Sequence, residues 1–266
     1  MTEKEYRSHP AVSRSQLWLF SDNCPEKVKY LLENPVKPTE AMIFGQALHM
    51  FVLQPEIYNA NFAAYPKVKK NTKAGKESFA QHLADCGERI MITTEEQTVI
   101  EAMADKIKAD SMCQQLLSGE HEKEFFWTDS LTREACKCRA DAIAEISGIT
   151  YVVDIKTTVN AETEAFEKSG RSLGYHVQAA MYCDGVKTVT GKECEFVVIA
   201  IEKEPPYCLN IIHYSKPEML LGFDKFRECL GTYHYCKSNN HWYDHRGKHN
   251  VVNEANLPAY LAKEIE

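Results

Sequence analysis

The chain has 266 residues, with 38 acidic and 31 basic side chains and a formal net charge of −7. Hydrophobic residues make up 44% and charged residues 26%, as in an ordinary soluble globular protein. The acidic balance excludes a uniformly basic nucleic-acid-binding protein but leaves room for a basic channel on an acidic body. We expect one large domain with insertions.

Membrane and secretory segments are not expected. No apolar run approaches the roughly 20 residues needed to span a membrane, and residues 1–5 contain no hydrophobic signal core. The ten cysteines lack the spacing of a small secreted scaffold, so we expect most of them to be reduced and buried. Together these observations predict a cytoplasmic protein.

The first third of the chain predicts helices. Ser13 and Gln16 have the spacing of a capping box and predict a short helix, which is followed by helices over 26–33 and 40–53. His49 lies in the last of these. On an otherwise apolar helix it is either a hydrogen-bonded core residue or a ligand.

A basic stretch follows at 67–76, with five lysines in ten positions and no acid. Such a run suits the tracking of a phosphate backbone with little sequence preference, and it is equally consistent with a solvated mobile loop. Residues 93–96 then cap an amphipathic helix, and we expect its stripe of Val99, Met103 and Ile107 to lie in the core.

The next part of the chain predicts three strands, over 122–127, 135–141 and 151–158, with Gly148 in the turn between the last two. A hairpin would bring Asp141 beside Asp154, thirteen positions later. Because side chains alternate along a strand, Asp154 and Lys156 project from the same face, while Tyr151, Val153 and Ile155 form an apolar one.

This arrangement suits phosphodiester hydrolysis. Two carboxylates so close repel each other unless a cation lies between them, and Mg²⁺ or Mn²⁺ prefers such oxygen ligands. Lys156 could then orient or help deprotonate an attacking water and stabilise charge on phosphate oxygens. The alternative is a pair of solvated acids and a lysine on an exposed sheet face.

A helix predicted over 173–187 places Tyr175, Gln178 and Tyr182 on one face. That face is either turned toward the acids or is a polar helix edge. Residues 196–201 are typical of a strand buried on both faces, and 209–214 predict a further strand. The chain then predicts a closing helix over 217–237, which packs through Leu220, Phe223, Phe226, Leu230 and Tyr233, and an irregular polar segment anchored by Trp242 and Tyr243.

Four blocks in this order, 44–49, 136–141, 153–158 and 175–182, resemble the catalytic domain of RecE-type exonucleases (exodeoxyribonuclease VIII) of phages and prophages. These enzymes belong to the PD-(D/E)XK nuclease superfamily. Weaker similarity extends through 71–76 and 202–207, so the resemblance spans most of the chain. It implies an α/β fold in which helices flank a mixed central β-sheet, after a helical N-terminal region.

The implied organisation is a single nuclease domain over 1–266. Residues 1–115 would form a mainly helical region with a basic loop at 66–77, and residues 120–215 a catalytic sheet with its motif helix. Residues 216–237 would form a closing helix, and 238–266 an irregular C-terminal segment.

The resemblance also implies residue roles. Asp141 and Asp154 would bind metal together with the backbone carbonyl of Ile155, His49 would complete the metal shell, and Lys156 would be the catalytic lysine. The remaining site candidates are the motif residues Gln178 and Tyr182, the further acid Glu122, and the DNA contacts Lys69, Lys70, Lys73, Lys76, Arg139 and Tyr175. Ala140 replaces the proline of the superfamily name, and Asp154 stands where many members have glutamate.

The implied reaction is degradation of the 5′ strand of linear double-stranded DNA, dependent on two Mg²⁺ or Mn²⁺ ions, leaving 3′ single-stranded tails. The implied partners are a RecT-type single-strand annealing protein and further copies of the chain in a ring, plausibly a tetramer. At the first helix, Ser13, Arg14 and Ser15 either hold a 5′ phosphate or serve as a cap alone.

Three alternatives remain open from the sequence. A Cas4-like or helicase-associated nuclease would carry an iron–sulfur cluster, for which Cys24, Cys229 and Cys236 lack a clear further partner. A catalytically silent DNA-binding protein could keep the same fold. An acidic interaction protein would have no nucleic-acid role.

Overall fold

The central β-sheet is mixed. The computed structural model describes residues 1, 3–68 and 71–252. The strands in this part of the chain are β1 (Val12–Ser13), β2 (Phe62–Tyr65), β3 (Ile90–Thr93), β4 (Glu120–Thr128), β5 (Ala135–Ile146), β6 (Ile149–Thr158), β7 (Cys194–Glu202) and β8 (Leu209–His213). The main sheet has the order β1-β5-β6-β7-β8, with β4 also paired to β5, while β2 and β3 form a separate parallel pair. The predicted mixed sheet is confirmed.

Strand β5 changes its partner along one edge. β4 runs antiparallel along the other edge. On the edge where the partner changes, β1 pairs in parallel at Cys136 and Lys137, and β6 pairs antiparallel from Ala142 onward. Residues 138–141 lie between these two partners, so Asp141 stands where the sheet edge opens next to the start of the N-terminal helices.

Helices cover both faces of the sheet. They are α1 (Glu3–Ser8), α2 (Arg14–Trp18), α3 (Pro25–Glu33), α4 (Glu40–Leu53), α5 (Pro55–Asn61), α6 (Lys73–Cys86), α7 (Thr94–Ala109), α8 (Ser111–Leu116), α9 (Thr163–Ser172), α10 (Tyr175–Thr190) and α11 (Lys216–Ser238). Residues of α10 and α11 form the core on one face, and residues of α4, α7 and α8 form it on the other. The parallel strands β6 and β7 are connected through α9 and α10.

Strand β6 is buried on both faces. Val152 packs into the core under α10, whereas Val153 and Ile155 pack into the core under α4 and α7. The expected alternation is therefore present, but the face that carries Asp154 is interior rather than exposed. The expectation of an exposed sheet face, the alternative to a site, is wrong.

Local signals in the sequence set several element boundaries. Ser147 and Gly148 have φ values of 52° and 82° and form the tight turn between β5 and β6. The backbone N–H of Ser13 donates to Gln16 Oε1 at 2.9 Å, and Thr93 and Glu96 form a complete capping box at the start of α7. Helix α4 has the predicted bounds, and all four predicted later elements, β7, β8, α10 and α11, are present within two or three residues at most ends.

Three predictions need correction. The basic stretch is not a loop throughout, because Thr72 caps helix α6 by accepting the N–H of Gly75 at 3.1 Å, and the helix begins at Lys73. The motif helix begins at Tyr175, after Gly174 adopts a left-handed conformation with φ 70°. Leu220 and Phe223 do not pack in the core; they are 66% and 39% exposed.

Two aromatic residues anchor the segment that follows α11. Trp242 stacks on Phe20, and the backbone carbonyl of Tyr243 accepts the N–H of Glu26, so the predicted anchors hold the segment that follows α11. Lys69, Lys70 and residues 253–266 lie outside the described residues, and the single-domain organisation stays a prediction. Within the described part, no helix combines the length and apolar character needed to cross a membrane. All ten cysteines are free thiols and seven are buried.

Candidate active site

The two acids of the hairpin lie inside the protein. Asp141 ends the unpaired stretch of β5, and in the continuing register of the hairpin it stands opposite Asp154 on β6. Asp141 is 8% exposed and Asp154 is 3% exposed. The backbone N–H of Ile155 donates to Asp141 Oδ2 at 2.7 Å. Buried carboxylates persist only with compensating partners, so this is a built site rather than surface charge.

His49 brings helix α4 into contact with both strands. Its Nε2 lies 2.6 Å from the carbonyl oxygen of Ile155, and its Nδ1 lies 3.2 Å from Asp141 Oδ2. Burial lowers the pKa of His49, but the charge of Asp141 and the hydrogen bond to it outweigh burial and raise the pKa to about 9. Burial in turn raises the pKa of Asp141, and the charge of His49 brings it below its ordinary value. Both ring nitrogens of His49 thus face oxygen acceptors, an arrangement that favours the protonated ring, and His49 would have to lose a proton to ligate an ion.

Asp154 lies between a lysine and an amide. Lys156 Nζ is 2.5 Å from Asp154 Oδ2, and Gln178 Nε2 on α10 donates to Asp154 Oδ1. Burial raises the pKa of Asp154, and the nearby charge of Asp141 adds to the rise against the opposing effect of Lys156. Burial lowers the pKa of Lys156, but Asp154 and then Asp141 raise it above its ordinary value. The site thus holds two carboxylates and two cations.

Two predicted residues of α10 lie beside these groups. The Lys156 ammonium lies 5.0 Å from the centre of the Tyr175 ring, a cation–π contact. Tyr182 instead packs its ring edge-on against Phe196, 6.2 Å away, and makes no direct contact with either acid. Burial raises the pKa of Tyr182 well above its ordinary value, so its phenol stays neutral.

At the start of α2 the three candidate residues have different surroundings. Ser13 Oγ lies 3.1 Å from Ser15 Oγ and donates to Gln16 at 3.0 Å, as in a helix cap. Arg14 points the other way, toward α10, and donates to the carbonyl of Leu173 at 2.5 Å. The structure brings Arg14 toward the acids and leaves the two serines at the cap.

The remaining candidates lie on β4, β5 and α6. Glu122 pairs with Arg139 at 2.8 Å, and the Arg139 guanidinium also lies over the Tyr6 ring. Lys73 and Lys76 are exposed on α6. Glu122 thus pairs with an arginine. On β4 it lies across from Asp141, between His121, which pairs with Ala142, and Lys123, which pairs with Ala140.

The residues present fit a hard divalent ion. Among the described residues no three His, Cys, Asp or Glu side chains are placed to hold a metal ion as they stand. The carboxylates of Asp141 and Asp154 instead pair with His49 and Lys156. The donor set is nevertheless two carboxylates and a backbone carbonyl, the oxygen ligands that Mg²⁺ and Mn²⁺ prefer. Asp154 Oδ2 is buried and pairs with the Lys156 ammonium at 2.5 Å. A bound ion would share these carboxylate oxygens with His49 and Lys156.

One contributor was missed by sequence reasoning. Trp18 on α2 lies beside Arg14, makes an edge contact with His176 and meets the backbone at Gly174, where an added Cβ would lie 2.4 Å from the indole. No spacing pattern connects Trp18 with residues more than 150 positions later, although Gly174 marks a close approach once the fold is known.

Comparisons with known proteins agree with this architecture. A family model described as a PDDEXK-like domain of unknown function (DUF3799) matches residues 13–255. The crystal structure of a candidate exonuclease from Eubacterium rectale is similar, with 16% identity, a TM-score of 0.64, and coverage of 98% of this chain and 97% of that one. The crystal structure of SSO0001 has 14% identity and a TM-score of 0.39, with coverage of 86% of this chain and 81% of that one. No curated protein matches the sequence.

Proposed function

Because the chain belongs to the PDDEXK-like domain family, we propose that it is a metal-dependent nuclease that hydrolyses phosphodiester bonds of DNA. The observation that carries the proposal is the buried group of Asp141, Asp154 and Lys156 on adjoining strands, joined by His49. Burying four ionisable groups together costs desolvation energy that their mutual pairing often fails to repay, so the arrangement is better explained by chemistry than by folding.

Each residue has a proposed role. Asp141, Asp154 and the carbonyl of Ile155 would hold the ions, two per site, with His49 completing the shell. When bound, Mg²⁺ or Mn²⁺ supplies Lewis-acid polarisation of the phosphate and makes water more acidic. Lys156, held by Asp154, would donate to an oxygen of the scissile phosphate and offset the charge that grows there.

Residues of α10 would support this group. Gln178 fixes the orientation of Asp154 through its amide hydrogen bond to Oδ1, while Lys156 pairs with Oδ2. Tyr182 would complete the wall of the site through packing. The roles of both residues rest on their place in the 175–182 block of the resemblance and on these contacts.

A more specific proposal concerns the DNA end at which the enzyme acts. The resemblance of the four blocks to RecE-type enzymes supports a 5′-to-3′ exonuclease that degrades one strand of linear duplex DNA. Its 3′ tail would pass to a RecT-type annealing protein, and copies of the chain would form a ring, plausibly a tetramer. Candidate contacts to DNA outside the acids are Tyr175, Arg139, Ser13, Ser15, Lys69, Lys70, Lys73 and Lys76.

One experiment tests the activity. Linear duplex DNA labelled at the 5′ or the 3′ terminus is incubated with Mg²⁺ and the wild-type protein, Lys156→Ala, Asp154→Ala or the control Lys225→Ala. Lys225 lies on α11 and pairs with Glu228, away from the acids. We expect the control to match wild type and the two site variants to lose roughly 100-fold or more of the rate.

The position of the label and the form of the DNA distinguish a 5′-to-3′ exonuclease from a nuclease of another kind. Early release of a 5′ label as mononucleotide supports the 5′-to-3′ polarity, whereas early release of a 3′ label contradicts it. Cleavage of closed circular duplex as fast as linear duplex would remove the exonuclease proposal and leave a nuclease. DNA binding without cleavage in Mg²⁺ or Mn²⁺ would support the silent-binding alternative.

A further inference from the structure

Two cations and two aromatic rings alternate beside the acids. The guanidinium of Arg14 lies 5.9 Å from the ring centre of Trp18 and 5.9 Å from that of Tyr175. The Lys156 ammonium lies 5.0 Å from the centre of the same Tyr175 ring. A single tyrosine ring is therefore shared by the catalytic lysine candidate on β6 and an arginine from the N-terminal helices.

Arg14 lacks the carboxylate partner that Arg227 and Arg139 have. Arg227 is paired with Asp129 and Arg139 with Glu122. Among the described residues no carboxylate pairs with Arg14, and its Nε is buried without a hydrogen-bond partner. Another nitrogen of the guanidinium donates a hydrogen bond to the neutral carbonyl of Leu173.

This arrangement is costly without a ligand. A buried donor left without a hydrogen-bond partner lowers stability, and the loss is larger on a charged group. Burial lowers the pKa of the guanidinium, although arginine remains charged at neutral pH. The charge of Asp154 acts on Arg14 from a distance, but the two side chains do not pair. The guanidinium can therefore pair with an anionic ligand.

We propose that Arg14 binds a phosphate oxygen of the nucleic-acid strand beside Lys156, and that Tyr175 is a positioning residue that sets the spacing of these two cations. The proposal rests on the proposed nuclease function and adds Arg14 to it as a second phosphate contact beside Lys156. The ligand would be a phosphodiester. A planar guanidinium can donate two parallel hydrogen bonds to phosphate oxygens, which an ammonium cannot do.

DNA binding tests Arg14 without any cleavage. Fluorescence anisotropy of a labelled linear duplex is measured in EDTA across a series of salt concentrations for wild type, Arg14→Gln and the control Arg246→Gln. Arg246 carries the same charge but is exposed and paired with Asp244. Loss of one phosphate contact should weaken binding about tenfold and lower the slope of log affinity against log salt by roughly 0.7–0.9.

The control should bind as wild type does. If Arg14→Gln kept the wild-type affinity and salt slope, the phosphate contact would be excluded while the nuclease proposal stood. If wild type itself neither bound nor cleaved duplex DNA, the proposed function would fail, and this inference with it.

Tyr175 is tested through kcat. Tyr175→Leu removes the ring that contacts both cations, so we expect kcat in Mg²⁺ to fall about tenfold. Tyr175→Phe keeps the ring and should recover most of that loss, with KM changing little in either variant. Wild-type kcat in Tyr175→Leu, or an equal loss in both variants, would overturn the positioning role. These variants also keep the inference testable should Arg14→Gln fail to fold, as judged by circular dichroism.

Discussion

Helices α10 and α11 pack closely at Gly222, and replacement of this residue by alanine should destabilise the protein. An added Cβ would lie 2.0 Å from the carbonyl oxygen of His176 and 2.6 Å from its carbon. Because carbon and oxygen normally stay about 3.3 Å apart, the helices would have to separate by about 1.3 Å. Overpacking of this kind costs about 3 kcal/mol, against about 1 kcal/mol gained in helix propensity.

The net expectation is a loss of about 2 kcal/mol, or about 4–8 °C in Tm. Gly231, on the same helix, provides the matched control, because nothing lies within 4 Å of its added Cβ. Gly231→Ala should raise stability by about 1 kcal/mol. Thermal unfolding followed by circular dichroism measures both variants. If Gly222→Ala were as stable as Gly231→Ala, the close packing of α10 on α11 would be refuted.

Further predictions concern the site and the response to pH and metal. Gln178→Leu should lower kcat about 10- to 100-fold, because a hydrogen bond to a buried charge contributes about 1.5–3 kcal/mol, whereas Gln81→Leu removes an exposed amide–carboxylate contact and should leave kcat unchanged. Burial raises the pKa of Asp129, but hydrogen bonds from Arg227 and Thr132 bring it to about 2. Its stabilising contribution is therefore complete above its unfolded pKa near 4 and is lost as pH falls toward 2. Wild type should lose about 2 kcal/mol more unfolding free energy than Asp129→Asn between pH 5 and pH 2, and parallel denaturation curves would contradict this. Added Mg²⁺ at about 100 times its Kd should raise the unfolding free energy by about 2.7 kcal/mol, with no such gain in a variant carrying both Asp141→Asn and Asp154→Asn.

The positions of the two acids could be predicted from the sequence because they depend on local geometry. Asp141 and Asp154 are equally distant from the turn at Ser147 and Gly148, so any tight hairpin brings them opposite each other. The apolar stripe of α7 and its capping box were local signals of the same kind. The family resemblance then placed His49 and Gln178, whose contacts the structure contains.

What could not be predicted depends on distant packing. Periodicity places Leu220 and Phe223 on an apolar stripe of α11, but the close approach at Gly222 turns the buried face toward Phe226 and Leu230 instead. Charge alone suggested a loop at the lysine-rich stretch, where a cap at Thr72 starts a helix. The stacking of Arg14 joins segments that no local pattern connects.

The division of the site between near and distant segments also has a consequence for the order in which it forms. The contact of Asp141 with Ile155 spans 14 positions, whereas that of His49 with Ile155 spans 106 and that of Arg14 with Leu173 spans 159. Hairpins close in about 1–10 μs, while contacts between distant segments form late. The two carboxylates should therefore meet before His49 arrives, with Lys156 as their local counter-charge. We expect replacement of His49 mainly to speed unfolding and replacement of Lys156 to slow folding as well.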